Sequence, residues 1–391
     1  VTQAPPISPH LRPRDGSAQP TTAVELLFDL VYVFAITQLS HLLIDHLSLA
    51  GAAHTAFLLL VIWWAWIYTT WMVNWFDPAS GTVRLVLVMA SLASLLMSSA
   101  IPSAFGSNAA LFAGAYVALQ VGRNCAAAGL LTREHELRLT LERIASWSIL
   151  SGGLWLAGAF VAEDLRLALW GPALLIDLVA PILGYWVPGL GRSQTNDYPV
   201  EGGHFAERFQ SFIIIALGES IVVTGATASA KGLSTTVVIA LAAAFLGTGA
   251  LWWLYFGEVA EHSRKRLAEA EDTGVLARDA YSYLHLPIVA GIIMVAVGDE
   301  LLIAAPNGEL STAGIVMMVG GPALYLAGET LFRLRMIGSV SPKRVSAVIA
   351  LGLLGALAGS ISALAVSVLV AGLLSALALW EYERPAVRAV R

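Results

Sequence analysis

From residue 23 to residue 382 the chain is a series of apolar runs about twenty residues long, broken by short polar stretches. About 20 apolar residues in a helix span the hydrocarbon core of a bilayer. The pattern therefore predicts twelve transmembrane helices, at 23–44, 54–76, 81–103, 107–130, 142–162, 166–187, 206–228, 234–257, 280–303, 311–333, 343–361 and 363–382. Only Gly359 and Ser360 mark a turn between the last two runs, so eleven spans is the fallback count. The expected fold class is an all-α polytopic integral membrane protein.

Composition agrees with that solvent. Of 391 residues, 57% are hydrophobic and 13% charged, where a soluble domain has about a quarter charged. Mean hydropathy is +0.74. No basic cluster with interleaved aromatics accompanies the net charge of −5, which argues against a nucleic-acid partner. The single cysteine, Cys125, has no partner for a disulfide or a CxxC site and is expected to be a buried, inert thiol. There is no P-loop, no GxGxxG after a strand and no nucleophile elbow, and the histidines lack metal-ligand spacing such as HExxH. Neither a cofactor, a metal nor an ATPase of its own is expected.

Charge fixes orientation. With twelve spans, nineteen of the 22 Lys and Arg residues fall on one side. Arg166 and Lys231 fall on the other, and Arg123 lies within a span. The positive-inside rule then puts both termini in the cytoplasm of a bacterial inner membrane. Residues 1–22 are polar and proline-rich (Pro5, Pro6, Pro9, Pro13, Pro20) and lack the features of a signal peptide. They are expected to form a disordered cytoplasmic tail before an uncleaved signal anchor. The connection 258–279 is expected to add helix at the membrane surface.

The order of features repeats at half-length. Arg143, Leu150 and Ala157-Gly158 of span five match Arg344, Leu351 and Ala358-Gly359 of span eleven without a gap. Trp63-Trp64 and Trp252-Trp253, Tyr116 before Arg123 and Tyr325 before Arg333, and Glu25 and Glu207 match in the same order. Two six-helix repeats, 23–190 and 191–385, are expected to share one orientation about a pseudo-twofold along the membrane normal. Gly352, Gly355 and Gly359 line one side of span eleven and permit close helix approach, either within the bundle or in a homodimer.

Ionisable groups in spans are costly, so each calls for a partner or a purpose. Glu25 and Asp29 share a face of span one, with Gln38 further along; Arg123 of span four is expected to pair with one of these acids. Glu207 and Arg208 open span seven. Glu219, beside Gly218 and Ser220, falls near the mid-plane, either as a proton carrier or as a permanently protonated side chain donating to a neighbouring carbonyl. Asp177, flanked by Pro172 and Pro181, serves either structure or catalysis. Glu329 is expected to pair with Arg333 at i+4. His285 is read as a packing residue. The tryptophans of span two, with Trp64 and Tyr68 on one face, either pack between helices or wall a cavity.

Two segments resemble one family. VELLFDLVYVFAITQLSHLL (24–43) and HFAERFQSFIIIALGESIV (204–222) are similar to the two signature segments of the bacterial low temperature requirement A proteins. The resemblance runs from about residue 20 to 385. Its signature positions fall here on Glu25, Phe28, Asp29, Gln38, His204, Glu207, Arg208, Gly218, Glu219 and Ser220. The family is largely without an assigned activity, so the resemblance supports a site and names no substrate.

The expected function is a proton-linked secondary transporter for a small molecule. Glu219 and Asp177 carry its chemistry; Glu25, Asp29, Arg123, Glu207 and Arg208 form a cytoplasmic gate; Gln38, His204, Ser220, Trp64 and Tyr68 contact the ligand. Membrane lipids are the expected partners. The alternatives are an intramembrane enzyme using general-acid catalysis on a lipid-soluble substrate, and a sensor or structural protein without turnover.

Overall fold

The structure is a computed structural model and describes residues 8–14, 17, 19–133, 135–194, 197, 199–270 and 272–382. Parts of the expected tail (1–7, 15, 16 and 18) and the arginines of the C-terminus (384, 388 and 391) lie outside the described residues.

The described residues are helical, with isolated bridges and no strand. The helices are α1 (Ala23–Asp45), α2 (Leu49–Trp75), α3 (Gly81–Ser99), α4 (Ala109–Gly129), α5 (Glu136–Ala159), α6 (Glu163–Val179), α7 (Gly202–Lys231), α8 (Thr235–Leu254), α9 (Ala260–Ala268), α10 (Thr273–Leu276), α11 (Leu286–Ala304), α12 (Thr312–Ile315), α13 (Gly321–Ile337), α14 (Pro342–Leu357) and α15 (Ala363–Glu381). Short π-helical turns at Tyr255–Val259, Ala277–Tyr283 and Val316–Gly320 join α8 to α9, follow α10 and join α12 to α13. Every predicted span has helix in its place.

Nine helical stretches among the described residues are long and apolar enough to cross a membrane. This is the pattern of a polytopic membrane protein. The remaining places are held by α4, α5 and α6, which are more polar or shorter. Gln120, Arg123 and Asn124 interrupt α4. Glu136, Arg138, Glu142 and Arg143 open α5, six residues before the predicted boundary, behind a His135 cap that accepts from the Leu137 N–H. α6 has 17 residues and stops at Val179; Pro181 and the left-handed Gly184 and Tyr185 follow, eight residues short of the expected end. The break near Gly359 is a 3₁₀ turn, Ala358–Ser360, and Ser362 caps α15 by accepting from the Ala365 N–H.

Contacts divide the chain into two units. The first comprises 1–39, 54–208 and 270–277, and the second 40–53, 209–269 and 278–391. In the first, α3 packs on α4, α4 on α5 and α5 on α6. Trp155 and Trp170 meet at its centre, ring centroids 5.2 Å apart.

In the second unit, α11 packs on α13, α8 on α15, and α14 on α13 and α15. The closest approach is between α11 and α13. A Cβ on Gly291 would lie 2.7 Å from the Tyr325 nitrogen, and one on Gly328 2.9 Å from the Ile288 nitrogen. Small residues there bring the two backbones into contact, the usual source of helix affinity in lipid. Of the glycines expected to do this, Gly355 and Gly359 of the α14 segment face Val319 and Ile315 at ordinary contact distance, and Gly352 faces open space. His285 is buried, stacks on Tyr281 and hydrogen-bonds the Tyr255 hydroxyl at 2.8 Å, as a packing residue does.

Cys125 is exposed on the outside of α4, contrary to the expectation of burial. Lipid is as apolar as the bundle interior, so an apolar run does not say which side faces in.

Candidate functional site

The first unit gathers four costly side chains at one end of α1, α2 and the start of α7. Local chemistry sets two of them in place. Glu25 reaches back to the start of α1: its carboxylate takes the Thr22 backbone N–H at 2.8 Å and the Thr22 hydroxyl at 2.6 Å, one half of a capping box. Glu201 caps α7 by accepting from the backbone N–H groups of Gly203 and His204. α2 ends nearby with free carbonyls. Arg12 satisfies two of them, its backbone N–H reaching Trp75 O at 2.9 Å and its Nε reaching Val73 O at 2.6 Å.

Once placed, these groups form one buried network. Arg208 grips Asp29 with both terminal nitrogens, at 2.6 and 2.7 Å. Trp66 Nε1 donates to the same carboxylate at 2.8 Å, and the guanidinium lies over the Trp66 ring at 5.7 Å. Glu25 takes Arg12 at 3.1 Å and His204 Nε2 at 2.7 Å. The side chains of Glu25, Asp29, His204 and Arg208 are 1% exposed or less. Two fixed cations face two carboxylates, and the charges balance.

Heavy-atom geometry fixes the tautomer of His204. Asn74 Nδ2 donates to the Glu201 carbonyl at 2.9 Å, while its Oδ1 accepts from the Glu201 N–H, also at 2.9 Å. That double contact leaves the amide one orientation, so Nδ2 is the atom 3.1 Å from His204 Nδ1. An NH₂ group only donates, so Nδ1 accepts and Nε2 carries the proton given to Glu25.

One bond is missing. Arg208 Nε is buried and has no hydrogen-bond partner. It lies 3.9 Å from Glu25 Oε1, inside ion-pair range and too far for a hydrogen bond. Glu25 therefore has a second cation within reach while it is held by the first.

Arg123 is elsewhere in the same unit. The expectation that it pairs with Asp29 or Glu25 is corrected: Arg208 takes that place. Arg123 donates to Thr69 Oγ1 at 2.9 Å and to Gln120 Oε1, and lies 5.4 Å over the Tyr68 ring. Gln120 then donates to the Tyr116 hydroxyl at 3.1 Å, which donates to Asp177 Oδ2 at 2.8 Å. Every donor in this chain points from guanidinium to carboxylate, an arrangement that polarises each bond in the same sense. Trp155 Nε1 also donates to Asp177, at 3.1 Å, and Trp64 Nε1 to its backbone carbonyl at 2.9 Å. Among the described residues neither Arg123 nor Asp177 makes a direct ion pair. Tyr68 accepts from the Tyr185 hydroxyl at 3.2 Å. Trp63 and Trp66 are fully packed.

Glu207 is half-buried and accepts from the Thr21 N–H at 3.1 Å. Gln38 is half-buried and takes no part in either network. In the second unit Glu219 is buried on α7, and Ser220 beside it donates to Asp299 of α11 at 3.2 Å. Glu329 meets Arg344 at 2.8 Å, where Arg333 was expected. Arg344 also holds Glu381 at 2.9 Å and the Leu254 carbonyl at 3.0 Å, because a planar five-donor fork can serve several acceptors at once.

The sequence model of the bacterial low temperature requirement A protein (LtrA) matches residues 21–379. The chain belongs to the LtrA family. It is also 36% identical over 363 residues, 92% of this chain and 88% of the other, to an uncharacterised protein of Rhizobium meliloti (strain 1021). No solved structure matches it. Of the positions in the two segments that resemble the family's signature, Glu25, Asp29, His204 and Arg208 meet in the buried network, and Phe28 packs against Tyr32 beside them.

Sequence reasoning missed Arg12, Asn74 and Glu201, and read Trp66 as packing or as a cavity wall rather than as a donor to Asp29. Arg12 lies in the stretch expected to be a disordered tail; it is 6% exposed and tied to Trp75, Val73 and Glu25, and Leu11 bridges Phe76. The T-x-x-E of Thr22–Glu25 signalled the start of α1, and nothing in the sequence signalled the docking of Arg12.

Proposed function

We propose that this LtrA protein is a proton-linked secondary transporter for a small molecule in the bacterial cytoplasmic membrane. On this reading it crosses the membrane twelve times in two six-helix repeats, with both termini in the cytoplasm. The strong charge asymmetry supports that orientation. The repeat is supported by Arg143 and Arg344, matched in sequence and both buried near the starts of α5 and α14. Glu219 of the signature is the proton carrier, and Asp177 is a second buried acid available to the cycle.

The observation that carries the reading is the unfilled position beside Glu25. Its carboxylate is held by Arg12 and His204 while Arg208 Nε waits unbonded 3.9 Å away. A network that only fixed helix register would be expected to close this bond. One with an alternative pairing in reach can change partners as helices shift, which a cytoplasmic gate must do.

The test is proton flux into liposomes holding a pH-sensitive dye, under an imposed pH gradient. The wild-type protein should carry protons, and Glu219→Gln should not. Wild-type flux from Glu219→Gln would end the reading.

A second reading, an intramembrane enzyme acting on a lipid-soluble substrate, is favoured by a cavity in the second unit whose rim lies on the outside of the helices. It predicts a converted product in vesicles without any gradient.

A further inference from the structure

α7, α8 and α11 line a half-open cavity of about 440 Å³, within the range of small-molecule sites. Its wall is apolar apart from Ser220, Thr224, Thr248 and Asp299. Thr224 has its hydroxyl proton committed to the Ser220 carbonyl at 2.6 Å. Ser220 in turn donates to Asp299 at 3.2 Å. Asp299 is therefore the one ionisable group in the wall, and Ser220 is the hydroxyl that reaches it. At the rim, Val238 and Phe245 are 47% and 55% exposed on the outer surface of α8. The mouth opens where lipid would lie.

Among the described residues Asp299 has no counter-charge. Among the described residues Ser220 is its only hydrogen-bond donor, and no cation comes within ion-pair distance. Thr248, Pro322, Ser367 and Met318 line a smaller pocket with it, from α8, α13, α15 and the Val316–Gly320 turn, and Asp299 is the only charged residue in that lining. Glu300 follows in the chain and adds a buried, unpartnered Oε2 of the same sign. A carboxylate in such surroundings must bind a proton or be paired with a cation.

We propose that this cavity binds a lipophilic organic cation, an apolar body with one positive charge, which displaces the proton of Asp299. The exchange balances: Asp299 gives up one proton to solvent, and the carboxylate it becomes pairs with the one charge of the ligand. The inference rests on the proton-linked reading and names its substrate class. The apolar wall and lipid-side mouth select the body, and Asp299 selects the charge.

The experiment uses the full-length protein in detergent with tetraphenylphosphonium, followed by equilibrium dialysis, with proton release read by a dye in weak buffer. Wild type should bind saturably and release about one proton per cation bound. Asp299→Asn keeps the acceptor for Ser220 and should lose at least tenfold in affinity together with the proton release. Phe245→Ala should weaken binding and leave the proton count unchanged. Equal binding by wild type and Asp299→Asn, or binding without proton release, would overturn the proposal. Because no membrane is present, the two readings fail separately. Cation binding with proton release but no liposome flux would count against transport alone. Glu219-dependent flux with no cation bound would count against this site alone.

Discussion

Arg208 closes on Asp29 with two parallel hydrogen bonds of 2.6 and 2.7 Å, both side chains fully buried. The pair joins the second turns of α1 and α7, elements far apart in sequence. Neither charge can stay there alone. Removing one partner of such a pair costs about 3–5 kcal/mol, while removing both costs much less. Asp29→Asn and Arg208→Gln should each lower thermal stability in detergent sharply, and the double variant should recover part of the loss. Additive losses would show that the two side chains act independently.

Asn74 dictates which nitrogen of His204 holds the proton. In wild type, ¹⁵N NMR of labelled histidine should show His204 protonated on Nε2 and bare on Nδ1. Asn74→Asp places a carboxylate oxygen where the amide nitrogen stood, 3.1 Å from Nδ1. That ring nitrogen should then become protonated. An unchanged spectrum would mean that the Glu201 contacts do not orient the amide.

Arg12 pins the N-terminal segment. Its bonds to Glu25 and the Val73 carbonyl are of the charged kind, worth about 1.5–3 kcal/mol each. Losing one such bond corresponds to a roughly ten- to hundredfold rise in local opening, at 1.4 kcal/mol per tenfold. Arg12→Gln should expose residues 8–22 to limited proteolysis at least tenfold faster, with the helical core intact. Equal cleavage rates would refute a docked segment.

Gly291 touches backbone. An alanine Cβ there would lie 2.7 Å from the Tyr325 nitrogen and 2.9 Å from the Gly321 carbonyl, and overpacking of this kind costs about 1–3 kcal/mol. Gly372 of α15 faces open space. Gly291→Ala should therefore destabilise the protein in a thermal melt, and Gly372→Ala should not. Similar melting of the two variants would remove the close contact between α11 and α13.

Much of the candidate site is legible in the chain itself. Glu25, Asp29, His204 and Arg208 stand out because charge is costly in an apolar run and because they match the signature. Their pairing does not. Arg123 and Arg208 are both arginines inside apolar helices, and nothing in either segment says which reaches Asp29. That depends on the rotation of each helix about its own axis. Arg12 is hidden for a different reason: its surroundings are rich in proline and polar residues, and its burial comes from capping the carbonyls of α2, more than sixty residues away.

The sequence by itself determined the helices, their order and the residues too polar to be left unpartnered in lipid. Run length and charge alone carry that information, because a bilayer requires every spanning backbone group to be satisfied within its own helix. Tertiary structure decided which face of each helix turns inward. In water an apolar stripe would have announced it, but lipid and bundle interior are equally apolar. Hence Cys125 could point outward, Gly291 rather than Gly352 could carry the closest packing, and Arg208 rather than Arg123 could hold Asp29.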